Sequence, residues 1–312
     1  MKKLRIVEQN FMTLEEGCNK YLDNCRSRNL REGTINHYRQ SYVQFAKFFD
    51  MQMQVRDMDE KLYQKYVVFL RETLHNDVSI NSYLRDFITT MHFLMDEGYV
   101  PRFKMQAIKV DKSGVETYTD DELFALLKKP NIKKCNFTEY QCWVMTNFLF
   151  STAVRQRSLM HIRIKDIDFD NNVVHVTVTK NRKNLIVPFN DTLANILKEF
   201  LKYRQYQSTD DFLFCNAYGQ QLIKSTCYHM LYEYNKRRGV ETTGIHRYRH
   251  TFAKQWILNG GNVVSLSKIL GHSSLQITQN YINLLVSDVS KEVASINLLD
   301  KFSERKKISM RK

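Results

Sequence analysis

The segment that decides the fold runs from His246 to Tyr281 and reads HRYRHTFAKQWILNGGNVVSLSKILGHSSLQITQNY. Its apolar residues recur at helical spacing. They predict three short helices, over residues 247–259, 263–270 and 274–285. Arg249 lies 32 positions before Tyr281, and His272 lies nine before it. One short stretch therefore carries guanidiniums, imidazoles and phenols on neighbouring helices.

Upstream of this segment, strand-forming residues alternate with turn residues. Three β-rich runs, separated by turns at 170–172 and 180–184, predict a small antiparallel sheet at 167–169, 173–178 and 185–189. Helical spacing returns at 192–204 and 225–237, and a short strand is predicted between them at 212–214. This half of the chain is therefore expected to be mixed, and mainly helical.

The first hundred residues carry a purely helical pattern. Thr13 followed by Glu16 is a capping box that opens one helix, and Thr34 opens a second. Apolar residues continue at the same spacing until Gly98, in the order Leu62, Tyr66, Phe69, Leu70, Ile80, Tyr83, Leu84, Phe87, Met91 and Leu94. The pattern predicts a four-helix bundle.

A change of pattern after the bundle indicates two domains. Residues 104–117 lose the helical spacing and are half polar, and Thr119 with Glu122 then opens a capped helix. The basic residues of 104–117 either contact a phosphate backbone or are simply solvated. We predict a helical domain over 1–103, a linker over 104–117, a mixed domain over 118–300 and a basic tail over 301–312.

Composition narrows the class of protein. The 47 Lys and Arg residues against 33 Asp and Glu give a net charge of +14, which favours nucleic acid or an anionic membrane surface as partner. No apolar run approaches the roughly 18 residues of a membrane span, and the N-terminal Met-Lys-Lys lacks a signal peptide's apolar core. The six cysteines form no C-x-x-C pair, which favours free thiols over a zinc site. We expect a soluble protein of the bacterial cytoplasm, associated with the nucleoid when bound.

Four short strings together resemble the catalytic domain of tyrosine recombinases, the phage integrase family, which includes Xer-type recombinases and transposon integrases. They are Thr152-Ala153-Val154-Arg155, Thr179-Lys180-Asn181-Arg182-Lys183, His246-Arg247-Tyr248-Arg249-His250, and Leu270-Gly271-His272 followed by Tyr281. The resemblance spans about residues 10 to 290. The N-terminal bundle resembles the family's core-binding domain. Because that bundle begins near residue 12, we expect no arm-binding domain before it.

The resemblance implies a set of site residues: Arg155, Lys180, His246, Arg249 and His272 as activating groups, and Tyr281 as nucleophile. Two guanidiniums suit this chemistry because their paired donors can hold the oxygens of an anionic phosphodiester. A phenol has a pKa of about 10, so Tyr281 must lose its proton during attack. His246 is a possible acceptor of that proton.

The same reasoning gives Lys180 the role of general acid toward the departing 5′ oxygen, and gives His272 a hydrogen bond to the phosphate. Lys183 competes with Lys180 for its role. Arg157 is the alternative to Arg155 as the first arginine of the site. The family string Thr-Gly-aliphatic-Arg aligns with Arg155, so we expect Arg157 on a helix surface or in contact with the DNA backbone. His250 is either functional or a structural histidine beneath the site.

Two residues depart from the family pattern. Ala153 stands where glycine is usual. Alanine can occupy the start of a helix unless the backbone there has a positive φ. Ser158 stands where an acidic residue is frequent, which removes a structural partner but not a catalytic atom.

The expected reaction is two successive transesterifications through a 3′-phosphotyrosyl intermediate, with two duplexes exchanged through a Holliday junction. No Gly-Lys dipeptide of a P-loop occurs, and we expect no cofactor, ATP or metal ion. The expected partners are double-stranded DNA and an accessory directionality factor. Family resemblance further implies a homotetramer that exchanges C-terminal helices. Residues 286–300 carry an apolar stripe suited to intermolecular or intramolecular docking.

Three other classes of protein remain open at this stage. The first is a catalytically silent DNA-binding regulator of the same fold. The second is a type IB topoisomerase or hairpin resolvase, and the third is a metal-dependent transposase or nuclease.

Overall fold

A computed structural model describes residues 11–110, 116–179, 183–241 and 243–272, together with Ser274 and Thr278. The chain divides into two compact units, Met1–Ser113 and Gly114–Lys312. Each unit has its own cluster of buried apolar side chains.

Within residues 11–110 of the first unit, the structure describes four α-helices: α1 Leu14–Ser27, α2 Glu32–Phe45, α3 Glu60–Thr73 and α4 Asp77–Asp96. The capping box of Thr13 and Glu16 opens α1, as the sequence predicts. The second helix begins two residues before the predicted Thr34, because Arg31 takes the N-cap position. Helix α4 packs against the other three.

Part of the predicted linker lies against this first unit. Residues 101–110 form neither helix nor strand. Met105 and Ile108 nevertheless pack on the core of the bundle, and the hydroxyl of Tyr63 donates to the carbonyl oxygen of Gln106 at 2.7 Å. Apolar side chains thus hold these residues on the bundle.

In the second unit the structure describes seven α-helices and one sheet. The helices are α5 Asp120–Leu127, α6 Phe137–Thr152, α7 Gln156–Leu159, α8 Asp191–Tyr203, α9 Lys224–Arg237, α10 Ile245–Leu258 and α11 Val263–Leu270. The strands are β1 Ile167–Asp168, β2 Val173–Val176 and β3 Leu185–Pro188, antiparallel in that order. This confirms the predicted fold class, mainly helical with a small antiparallel sheet.

Helix α6 lies in the middle of the second unit, where the sequence pattern predicted no element. It packs against α5, α8, α9 and α10. Its buried side chains, which include Trp143 and Phe148, point to all sides of the helix. A helix with no exposed face has no polar stripe, so its 3.6-residue period is hard to recognise in the sequence.

The predicted strand at 212–214 is wrong. Phe212 makes only an isolated bridge with Arg163, and the amide of Leu213 donates to the carbonyl oxygen of Ile162 at 2.9 Å. Leu213 and Phe214 are fully buried. Burial in the core, rather than strand pairing, accounts for the run of apolar residues.

The helices predicted at 247–259 and 263–270 are confirmed as α10 and α11. Of the helix predicted at 274–285, the structure describes only Ser274 and Thr278, and Thr278 is helical. Among the described residues, no helix is both long and apolar enough to span a membrane.

Candidate active site

The site begins where α6 ends. Ala153 closes the helix with φ 52° and ψ 22°, a left-handed conformation, and its side chain is fully buried. The position therefore imposes the positive φ that favours glycine, and alanine adopts it here. The chain then turns at once, so that Arg155 becomes the N-cap residue of α7.

Arg249 is the most buried charged group of the site, with 5% of its surface exposed. Its Nη1 donates to the carbonyl oxygen of Ala153 at 2.7 Å, and its Nη2 donates to the carbonyl oxygen of Leu270 at 2.6 Å. The same Nη2 lies 3.0 Å from Nε2 of His272. The guanidinium thus joins the C-terminal ends of α6 and α11 to α10.

His272 follows directly on the end of α11. Gly271 adopts φ 58° there, and the amide of His272 donates back to the carbonyl oxygen of Ser267 at 3.1 Å. Nδ1 of His272 lies 2.8 Å from the hydroxyl oxygen of Thr278. Burial lowers the pKa of His272 to about 4, and the charges of Arg249 and Arg155 contribute to the shift. The ring is therefore neutral near pH 7.

One face of α10 carries the other titratable groups. His246, Arg249 and His250 share it because residues three and four apart are neighbours on a helix. Desolvation lowers the pKa of His246, and Arg249, Arg155 and Lys224 lower it further. The pKa of His250 is lowered by burial and by the charges of its neighbours. Both imidazoles are biased toward the neutral form.

A hairpin between β2 and β3 borders the site. The hydroxyl of Thr179 donates to the carbonyl oxygen of Lys183 at 2.7 Å, and the buried Ser158 donates to the carbonyl oxygen of Val178 at 2.8 Å. A cleft of about 340 Å³ lies beside it, lined by Arg155, Thr179, Lys183, Asn184, Leu185, Gly271 and His272. The hairpin is therefore anchored to α7, next to Arg155.

Sequence reasoning missed the support beneath α10. Tyr248 is buried, and its hydroxyl donates to Asn235, whose amide nitrogen donates to the hydroxyl of Tyr118. The amide of Tyr118 donates to the hydroxyl of Thr251 at 2.8 Å. These polar groups hold α10 from the side opposite the site. Tyr248 stands between the motif residues Arg247 and Arg249, and its phenol was the one available signal.

The structure brings together four of the six predicted site residues: Arg155, His246, Arg249 and His272. Lys180 and Tyr281 lie outside the described residues. Lys183 is exposed at the cleft, and Arg157 is exposed on α7. His250 is partly buried beside His246. The assignment of catalytic roles to any of them stays a prediction.

Clustered guanidiniums beside neutral imidazoles are suited to stabilise a phosphoryl group during its transfer, which is the chemistry of DNA strand-transfer enzymes. Family models agree with this class. Residues 116–287 match the phage integrase family, and residues 13–110 match the phage integrase SAM-like domain. The chain belongs to the phage integrase family and is a tyrosine-type site-specific recombinase.

Known relatives extend over nearly the whole chain. Tyrosine recombinase XerD of Staphylococcus saprophyticus is 26% identical over 302 residues, which cover 92% of this chain and 96% of the relative. XerD of Staphylococcus epidermidis is 24% identical over 298 residues, with the same coverage of both chains.

Solved structures share the fold. A Tn1549 transposon integrase in complex with transposon right end DNA superposes with a TM-score of 0.73 at 17% identity, covering 90% of this chain and 100% of that one. The XerH site-specific recombinase bound to palindromic difH substrate gives a TM-score of 0.67 at 20% identity, covering 91% and 84%.

Proposed function

We propose that this recombinase cuts and rejoins double-stranded DNA through a covalent bond between Tyr281 and a 3′ phosphate. Two duplexes then exchange strands by way of a Holliday junction. The observation that carries the proposal is the convergence of Arg155, Arg249, His246 and His272 at the ends of α6, α10 and α11. The chain's membership in the family adds the expectation that Tyr281 completes this group.

The two arginines would bind the scissile phosphate. A phosphodiester carries one negative charge and gains more in the transition state, and guanidiniums hold nonbridging oxygens through paired N–H donors. Arg249 is already oriented by carbonyl oxygens of two helix ends. A group fixed before substrate arrives need not be reorganised during the reaction, which is why such preorganised charges lower barriers.

Cleavage forms one bond, breaks another and transfers two protons. The phenol oxygen of Tyr281 attacks phosphorus, and its proton passes to His246, whose lowered pKa keeps it able to accept. The bond between phosphorus and the 5′ oxygen breaks, and that oxygen takes a proton from Lys180. In the second step a 5′ hydroxyl from the partner duplex gives its proton to Lys180 and attacks phosphorus. The bond between phosphorus and Tyr281 breaks, and the phenol oxygen regains a proton from His246.

DNA binding is expected to rest on phosphate contacts. The net charge of +14 supplies the attraction, and affinity should fall steeply as salt concentration rises. Lys224, at the first turn of α9, lies close enough to His246 to lower its pKa, so this end of α9 borders the proposed DNA path. We further propose four protomers on two sites, joined through residues 286–300, and an accessory directionality factor.

The experiment is recovery of covalent protein–DNA adducts from cells that express wild type, Tyr281→Phe or Tyr218→Phe, with EDTA in the lysis buffer. Tyr218 is 86% exposed on the surface and serves as the matched control. Adducts in wild type and Tyr218→Phe, but not in Tyr281→Phe, support the proposal, and sequencing the attached DNA identifies the site.

Other outcomes point to other functions. Adducts in all three proteins would exclude Tyr281 as the nucleophile. If none of them forms an adduct while DNA still copurifies with wild type, a DNA-binding regulator is the better description. Adducts accompanied by relaxation of supercoiled DNA, without exchange between two duplexes, would indicate a topoisomerase.

A further inference from the structure

Both ring nitrogens of His272 have a neighbour at hydrogen-bonding distance. Nε2 lies 3.0 Å from Nη2 of Arg249, and Nδ1 lies 2.8 Å from the hydroxyl oxygen of Thr278. Thr278 is fully buried. It lies three positions before Tyr281.

The chemistry of the two neighbours determines where the imidazole proton lies. A guanidinium only donates, so Nε2 of His272 must accept from Arg249. The proton of the neutral ring then lies on Nδ1, from which it is donated to the oxygen of Thr278. A hydroxyl can accept this hydrogen bond, whereas an aliphatic side chain of the same size cannot.

We infer that Thr278 is a positioning residue, which holds His272 in its Nδ1-protonated tautomer so that Nε2 accepts from Arg249 and orients the guanidinium. This inference rests on the proposed function, because it concerns the arginine that would bind the scissile phosphate.

Before DNA binds, the arrangement gives His272 a task besides the phosphate hydrogen bond expected from the sequence. His272 therefore acts on the arginine, and hydrogen bonds run without a break from the carbonyl oxygen of Ala153 through Arg249 and His272 to Thr278. Thr278, the last member of this series of hydrogen bonds, lies three positions before the predicted nucleophile in the sequence.

The first test reads the tautomer directly, without DNA. Full-length protein labelled with 15N-histidine would be studied by NMR near pH 7, with the His272 signals assigned from a His272→Gln variant. We expect the Nδ1-protonated neutral ring in wild type and in Thr278→Ser, and a mixture of tautomers in Thr278→Val. Thr278→Ala provides the same measurement if the valine variant does not fold. An Nε2-protonated ring in wild type, or no change in either hydroxyl-free variant, would overturn the inference.

The second test measures cleavage of the site recovered from the adducts. Thr278→Val should slow single-turnover cleavage about tenfold, the usual effect of one lost hydrogen bond, and Thr278→Ser should stay within about threefold of wild type. In a His272→Gln background, Thr278→Val should cause no further loss, because Thr278 acts through that histidine. An additional tenfold loss there would contradict the inference. Failure of wild type to form adducts would count against the proposed function alone, since the NMR result does not depend on it.

Discussion

The guanidinium of Arg249 donates a 2.7 Å hydrogen bond to the carbonyl oxygen of Ala153, the residue at which α6 ends. The two residues are 96 positions apart in the chain, and both are buried. Carbonyl oxygens orient a guanidinium without cancelling its positive charge. The end of a core helix thereby fixes the direction in which this charge is presented.

Replacement of Arg249 by lysine should lower the cleavage rate by roughly two to three orders of magnitude, as loss of an oriented transition-state donor does in other enzymes. Lysine keeps the charge but cannot bond Ala153 and Leu270 with one planar group. Single-turnover cleavage measures the effect. Arg157→Lys, at an exposed position on α7, is the matched control and should stay within about twofold. Equal rates for the two variants would remove Arg249 from the proposed site.

Ala153→Gly should change the free energy of unfolding by less than about 1 kcal/mol. Glycine relieves the cost of the left-handed conformation, but it also gains freedom in the unfolded chain, and the two effects oppose each other. Gly271→Ala should destabilise by about 1 kcal/mol or more, because φ is 58° and the new Cβ would lie 3.2 Å from Leu185. Urea unfolding of both variants measures the two changes in the free energy of unfolding. A more stable Gly271→Ala protein would contradict this account of the α11 end.

The three site histidines predict how stability depends on pH. The pKa of His272 is about 4 in the folded protein against an ordinary 6.5, so between these values the unfolded chain binds more protons. The free energy of unfolding should therefore fall as pH is lowered from 6.5 toward 4. His246 and His250, whose pKa values are also lowered, act in the same direction.

His272→Gln isolates the contribution of this ring. As the pH falls from 6.5 to 5, the free energy of unfolding of the variant should decrease by about 1 kcal/mol less than that of wild type. This figure allows for partial screening by solvent. Urea unfolding at several pH values measures it. Parallel curves for the two proteins would show that His272 titrates alike in the folded and unfolded chains.

Ser158→Ala should destabilise the protein by about 1 kcal/mol and slow cleavage severalfold, because the carbonyl oxygen of Val178 loses its donor and the hairpin loses its tether to α7. Thermal unfolding and single-turnover cleavage provide the two readings. Ser265→Ala, at an exposed position on α11, is the control and should stay within about 0.5 kcal/mol. A Ser158→Ala protein with wild-type cleavage would show that the tether has no part in the reaction.

Local signals predicted much of the fold. The capping boxes at Thr13 and Thr119 mark the starts of α1 and α5, as expected. The sheet and helices α8 to α11 follow from alternation and helical spacing, since each has one buried and one exposed face. Helix α6 and the false strand at 212–214 could not be predicted this way, because α6 has buried side chains on all sides and Leu213 and Phe214 are buried without strand pairing.

The site was predicted by residue type but not by contact. The resemblance to the tyrosine recombinase family pointed to Arg155, His246, Arg249 and His272, which the structure brings together. It could not show that Arg249 is buried against carbonyl oxygens, or that Ala153 has a positive φ, because such contacts arise between distant elements. In the sequence, Ala153 stands out only as a departure from the usual glycine, and its φ of 52° shows that the departure leaves the turn intact.

The central position of α6 has a consequence for the order in which the protein folds during its synthesis on the ribosome. This helix is synthesised before α8, α9 and α10, three of the helices that enclose it. An apolar segment that lacks its partners has no stable fold of its own. The nascent chain therefore already contains Arg155 at a time when Arg249, on α10, has not yet been synthesised. Arg249 can bond the carbonyl oxygen of Ala153 only after α10 has packed against α6. The candidate site residues on α10 and α11 therefore cannot come together with Arg155 before these two helices have been synthesised.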